Sequence, residues 1–115
     1  MRLGKLSWLM LFMASGCSSP TGDQSALRQI RADAQMLSAM TKPSPLPIPK
    51  SKWPPAIASL HPTSVTISPE GVDILISPGF DGGSGYFVPS KGTDHPDPAG
   101  RFELVGQGIY WYHPY

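Results

Sequence analysis

Three stretches and one thiol carry the residue types that could do chemistry. Gly79-Phe80-Asp81-Gly82-Gly83-Ser84-Gly85 is rich enough in glycine to be tested as a phosphate cradle. A phosphate-binding loop needs Lys and then Ser or Thr after its last glycine, so that a cation and a hydroxyl meet phosphate and Mg²⁺. Tyr86-Phe87 stand there instead, and no helix is expected whose N-terminus could hold an anion. Gly83-Ser84-Gly85 also fails as a nucleophile elbow, because Tyr86 occupies the place of the second glycine. Asp81-Gly82 reads as a hairpin turn. Thr93-Asp94-His95-Pro96-Asp97 puts two carboxylates around one imidazole, a set that could hold a metal or titrate near neutrality. Structural metal sites typically take four ligands, and His61, Glu103 and His113 would have to converge from elsewhere, so a solvated loop is the expectation. No acid–base pair or Ser-His-Asp order has meaningful spacing. The sequence therefore assigns no catalytic residue, cofactor or metal, and the chain is not expected to be an enzyme.

The closing run Tyr110-Trp111-Tyr112-His113-Pro114-Tyr115 is the most unusual in composition. On a strand, Trp111 and His113 share the face of Ile109, while Tyr110 and Tyr112 share the other. One face should fill the core and the other present two tyrosines, with Phe87 or Leu75 from neighbouring strands. Tyrosine and tryptophan dominate binding hot spots. Tyr110, Tyr112, Tyr86 and Asp81 are accordingly the candidate binding residues. The competing expectation covers both faces, one of them with a helix.

The thiol is Cys17, the only cysteine, which excludes a disulfide within the chain. Ahead of it stand Arg2 and Lys5, then an apolar run from Leu6 to Met13 broken only by Ser7, then Ala14-Ser15-Gly16. A basic start, a short apolar segment and small residues before a cut site describe a secretory signal peptide over 1–16. The run falls well short of the roughly 20 residues that span a bilayer. Met13-Ala14-Ser15-Gly16-Cys17 resembles the lipobox of bacterial lipoproteins, with Ala14 where leucine is usual. The resemblance implies cleavage before Cys17, acyl chains such as palmitate on its thiol and new amine, and a place in the cell envelope. Ser18, rather than Asp, after the cysteine implies the outer membrane facing the periplasm, in a host with two membranes. Loss of Arg2 and Lys5 would turn a net charge of +1 slightly negative, so no nucleic-acid partner is expected.

Pattern and punctuation divide the remainder. Residues 17–24 are small and polar and read as a flexible tether. Over 25–41, Leu27, Ile30, Ala34 and Leu37 recur at helical spacing, with Met36 and Met40 widening the stripe and Asp23 or Ser25 as cap. This amphipathic helix is expected to pack on the domain; pairing with a partner helix and lying on lipid are the alternatives. Residues 42–55 alternate proline with other residues and read as an extended polyproline spacer. From 56 to 115 a small β-rich domain is expected, after one helical turn near 54–60. Val65 and Ile67, then Val72, Ile74 and Ile76, alternate with polar residues around the turn Ser68-Pro69-Glu70-Gly71, which makes a hairpin. Residues 86–88, 101–105 and 108–113 supply further strands, the last two joined at Gly106-Gln107-Gly108. The fold class expected is α+β, mostly β: an antiparallel sheet of four or five strands, preceded by the helix and the spacer.

The function expected is that of a membrane-anchored lipoprotein held by acyl chains on Cys17, binding a protein partner in the envelope without catalysis. An inhibitor or immunity factor against an envelope-targeting toxin, or an accessory subunit of an envelope complex, would both fit. A glycan or peptidoglycan binder using the C-terminal aromatics, or a small envelope hydrolase with an unrecognised site, are the alternatives.

Overall fold

The computed structural model describes residues 20–80, 82–90 and 99–114. The leader, Cys17, Asp81, the loop carrying Asp94, His95 and Asp97, and Tyr115 lie outside the described residues. Helix α1 spans Gln24–Met40 and is followed by a 3-10 turn at Lys50–Lys52 and a short helix α2 at Pro55–Ala58. Strands β1 (Ser64–Ser68), β2 (Gly71–Ser77), β3 (Ser84–Pro89), β4 (Phe102–Gly106) and β5 (Ile109–Tyr112) complete the chain. They form one five-stranded sheet in the order β1-β2-β3-β5-β4, antiparallel at each pairing. The protein is a small α+β fold in which a helix precedes an antiparallel sheet.

Alternation sorts the sheet into two faces. Val65, Ile67, Val72, Ile74, Tyr86, Val88, Ile109 and Trp111 point to one side and are buried there. Helix α1 lies across that side and inserts Leu27, Ile30, Ala34 and Leu37 into the same core. Asp23 caps it, its carboxylate accepting the N–H groups of Ser25 and Ala26 at 3.0 and 3.4 Å. The stripe is narrower than expected, since Met36 and Met40 are exposed rather than part of it. Helix α2 fills the remainder of the layer with Ile57, which is fully buried. The Asp33 carboxylate of α1 accepts the Ala56 N–H of α2 at 2.8 Å, satisfying one of the donors that a helix start leaves unpaired.

The expected division at residue 55 is not found, because the proline-rich segment is part of the fold. Ser44 N–H donates to Ile67 O at 3.0 Å and Ile48 N–H to Val65 O at 2.8 Å, both on the outer edge of β1. Prolines 43, 45, 47 and 49 have no donor to offer, so the residues between them make these bonds. Ile48 is buried in the core, and the Trp53 indole N–H donates to Ile48 O at 3.2 Å. The segment is a strap that closes one edge of the sheet, which an exposed edge strand otherwise leaves open to aggregation. The expected tether is shorter as well: Thr21 N–H donates to the Tyr86 hydroxyl at 2.9 Å, and Gln24 opens the helix.

A chain beginning at Lys50, which lacks α1 and most of the strap, should show no cooperative thermal transition. Leu27→Ala in the intact chain should cost about 2–5 kcal/mol. A sharp transition in the shortened chain would show that the sheet is stable without its helix.

Candidate functional site

The second sheet face holds the residues with unusual environments. Tyr112 stands opposite Gly85 on β3 and Phe102 on β4. A Cβ at Gly85 would come 2.9 Å from the Tyr112 hydroxyl and closer still to the Ile74 carbonyl oxygen. Glycine there lets the phenol lie across β3 and reach β2, where it donates to Asp73 Oδ1 at 2.5 Å. The Arg101 guanidinium lies over the same ring at 4.7 Å, and the Phe102 ring is 5.7 Å away. Arg101 is held by three carbonyl groups: Nε donates to His113 O at 2.9 Å, and Nη2 donates to Gly82 O and Gly83 O at 2.7 and 3.5 Å. It ties the β2–β3 turn to the end of β5 and roofs the phenol, which offers a favourable cation–π geometry.

Electrostatics follow from this packing. Burial pushes the Asp73 carboxyl above its ordinary value, against the hydrogen bond from Tyr112 and the charge of Arg101, which pull it down. Burial pushes the Tyr112 phenol far up, and the hydrogen bond to Asp73 and the Asp73 charge add to the shift. At neutral pH the phenol is therefore a fixed donor and not a base. Around this centre Leu75, Phe87, Phe102 and Tyr110 are half-buried and Leu104 is 62% exposed. The Phe87 and Phe102 rings meet edge-on, with centroids 6.1 Å apart. The result is an apolar and aromatic surface, stiffened by a polar cluster and suited to recognition.

The candidate residues are not brought together as expected. Tyr110 stays half-buried on this face. Tyr112 shares the face but is only 3% exposed, so an exposed tyrosine pair does not exist. Tyr86 lies on the helix side, since it pairs with Trp111 across β3 and β5 and therefore shares its face. It is buried, in edge contact with Trp111 at 5.0 Å, and burial raises its phenol against the hydrogen bond from Thr21. Asp81 and Cys17 lie outside the described residues. Sequence reasoning missed Asp73, Arg101 and Phe102. A signal existed for Asp73, because aspartate is disfavoured inside strands and one in Val-Asp-Ile-Leu-Ile calls for a partner. No comparable signal marks Arg101.

Hollows lie elsewhere among the described residues. A groove of about 790 Å³ runs between α1 and the ends of β2 and β3, lined by Ala34, Ser38, Val72, Val88, Arg31 and Tyr110 among others. A cleft of about 560 Å³ lies between the strap and the entry to β1, where Trp53, Pro47, Pro49, Lys50 and His61 meet. Among the described residues no three His, Cys, Asp or Glu gather where a metal could be held, and no helix is long and apolar enough to cross a membrane. No protein-family model matches the chain, and no curated protein or solved structure matches it either.

The raised Asp73 carboxyl has a consequence with a definite sign. Its contribution to stability is full below the unfolded carboxylate value and is lost as pH rises through the higher folded value. Asp73→Asn keeps an acceptor for the phenol and removes the charge. Its urea midpoint should gain on that of the wild type as pH climbs from 4 to 7; parallel curves would contradict the assignment. Tyr112→Phe, which strips Asp73 of its donor, should cost about 1–3 kcal/mol at neutral pH.

Proposed function

We propose that the protein is a bacterial envelope lipoprotein, acylated at Cys17, that acts as a non-enzymatic module holding a protein partner on the second sheet face. The observation that supports this reading most is the aromatic and apolar surface made by Leu75, Phe87, Phe102 and Leu104, half-buried or exposed on a sheet face against which no described helix packs. Contiguous apolar surface of this kind marks interaction sites. Its rigidity helps, because Tyr112, Asp73 and Arg101 fix the rings before binding and lower the ordering cost of association. An inhibitor, an immunity factor and an accessory subunit of an envelope complex would all use such a surface. The lipobox resemblance supports a place at a membrane, and Ser18 after the cysteine favours the outer one facing the periplasm over the inner in a host with two membranes. Two or more acyl chains make such attachment stable, where a single chain is marginal.

A second reading, binding of an envelope glycan, is favoured by the strap cleft. Trp53 is half-buried there with its indole held by Ile48 O, beside Lys50 and His61. This moves the glycan reading from the C-terminal aromatics, of which Trp111 and Tyr112 are buried, to the other side of the molecule.

Two measurements test the proposal. Metabolic labelling with a fatty-acid analogue should mark the wild type and leave Cys17→Ser unmarked and uncleaved; equal label on both contradicts the anchor. A benzophenone amino acid in place of Phe87 should give one discrete protein adduct in intact cells, and the same group in place of Lys50 should not. Adducts from Lys50 alone would move the binding surface to the strap.

A further inference from the structure

The strap cleft joins flat apolar walls to positive charge. From Ala34 to Pro69 the chain holds Lys42, Lys50, Lys52 and His61 and no Asp or Glu. That stretch forms the strap, α2 and β1. Lys50 and His61 are exposed and line the cleft, and among the described residues no carboxylate lines it. The acids that flank the stretch are placed elsewhere. Asp33 accepts the Ala56 N–H, and Glu70 stands in the β1–β2 turn, at the opposite end of β1 from Ser64, which borders the cleft. The apolar walls are rings: Trp53, Pro47, Pro49 and Pro62. Trp53 packs partly on the core and its indole N–H is taken by Ile48 O, so it offers the cleft a ring and no donor. Proline fixes its own φ, which sets the strap wall before any ligand arrives. His61 has a φ of +51°, a left-handed backbone that is uncommon and costly for a residue with a side chain.

We propose that the strap cleft takes an acidic sugar of an envelope glycan, its ring laid against Trp53 and the prolines and its carboxylate on the Lys50 ammonium, with His61 as a further hydrogen-bonding group. The inference rests on the reading of this cleft as a glycan site and adds the charge of its ligand. The volume, about 560 Å³, falls within the roughly 300–1,000 Å³ of small-molecule sites. A pyranose presents flat, apolar C–H faces that match an indole and proline rings. It is also rigid, so seating it on a preformed wall costs little ordering. Charge then selects among sugars. The lysine ammonium carries three donors and a full positive charge, which suit a carboxylate. With no acid on the walls, that attraction is not cancelled locally. A neutral sugar gains nothing from Lys50 beyond what water already supplies.

The test uses the full chain, produced with its own leader and purified in detergent micelles. The probe is peptidoglycan strands stripped of their peptides, in which each muramic acid bears a free lactyl carboxylate, and the same strands after amidation of those carboxylates. The native strands should shift the Trp53 indole N–H resonance and leave the Phe87 and Phe102 amides in place. Amidation should weaken binding several-fold. Lys50→Gln, at an exposed position, should lower the affinity for native strands to that for amidated ones and leave the latter unchanged. Equal affinity for the two forms of strand overturns the acidic ligand and leaves the glycan reading intact. Binding of neither, or shifts confined to Phe87 and Phe102, overturns both. His61→Asn keeps a residue that tolerates the left-handed backbone and should weaken binding with the melting transition unmoved; unchanged binding removes His61 from the site.

Discussion

Everything in this structure depends on covering one face of a five-stranded sheet. About fifty residues of sheet and turns present Val65, Ile67, Val72, Ile74, Val88, Ile109 and Trp111 on one side, and a single layer cannot bury them. Helix α1 supplies the second layer. Leu27 and Ala34 are wholly buried, and Ile30 and Leu37 nearly so, which ties the helix to the sheet through the shared core. In a chain this small, little surface is removed from water on folding, and there is no reserve core to stand in for that layer. The apolar stripe of the helix is therefore part of the core of the domain rather than a free face.

The edges and the second face follow from that choice. With α1 and α2 on one side, the chain must return to β1 along the sheet margin, and the proline-rich strap does so while donating Ser44 and Ile48 N–H groups to the edge. The opposite margin, β4, receives the Gln24 amide near its end. On the second face no helix lies among the described residues, and rigidity comes instead from Tyr112 donating to Asp73 beneath Arg101. A half-buried carboxylate is costly unless paired and hydrogen-bonded. Here the phenol and the guanidinium offset part of that cost, and the neighbouring rings gain a fixed platform.

Much of this was legible in the sequence where the signal is local. The spacing of Leu27, Ile30, Ala34 and Leu37, and the alternation on either side of Pro69-Glu70-Gly71, gave helix and hairpin within a residue or two of their observed ends. The strap was not legible as such, since its partners Val65 and Ile67 lie about twenty residues further on. Ile48 and Trp53 were the hint, because a solvated spacer has no use for two large apolar side chains. The face of Tyr112 could be read from alternation, but not its burial, which depends on Gly85 and Phe102 standing opposite it. The same non-local register sends Tyr86 to the helix side with Trp111.

The central claim is that α1, the strap and the sheet form one cooperative unit. Native-state amide hydrogen exchange at low denaturant tests it most directly. The account predicts that Ile30 and Ala34 on α1 exchange with the same free energy and denaturant dependence as Ile74 on β2 and Tyr110 on β5, all through global unfolding. Exchange of the α1 amides at clearly lower free energy, with the strand amides still protected, would contradict it. The sheet would then be the folded unit and the helix an appendage.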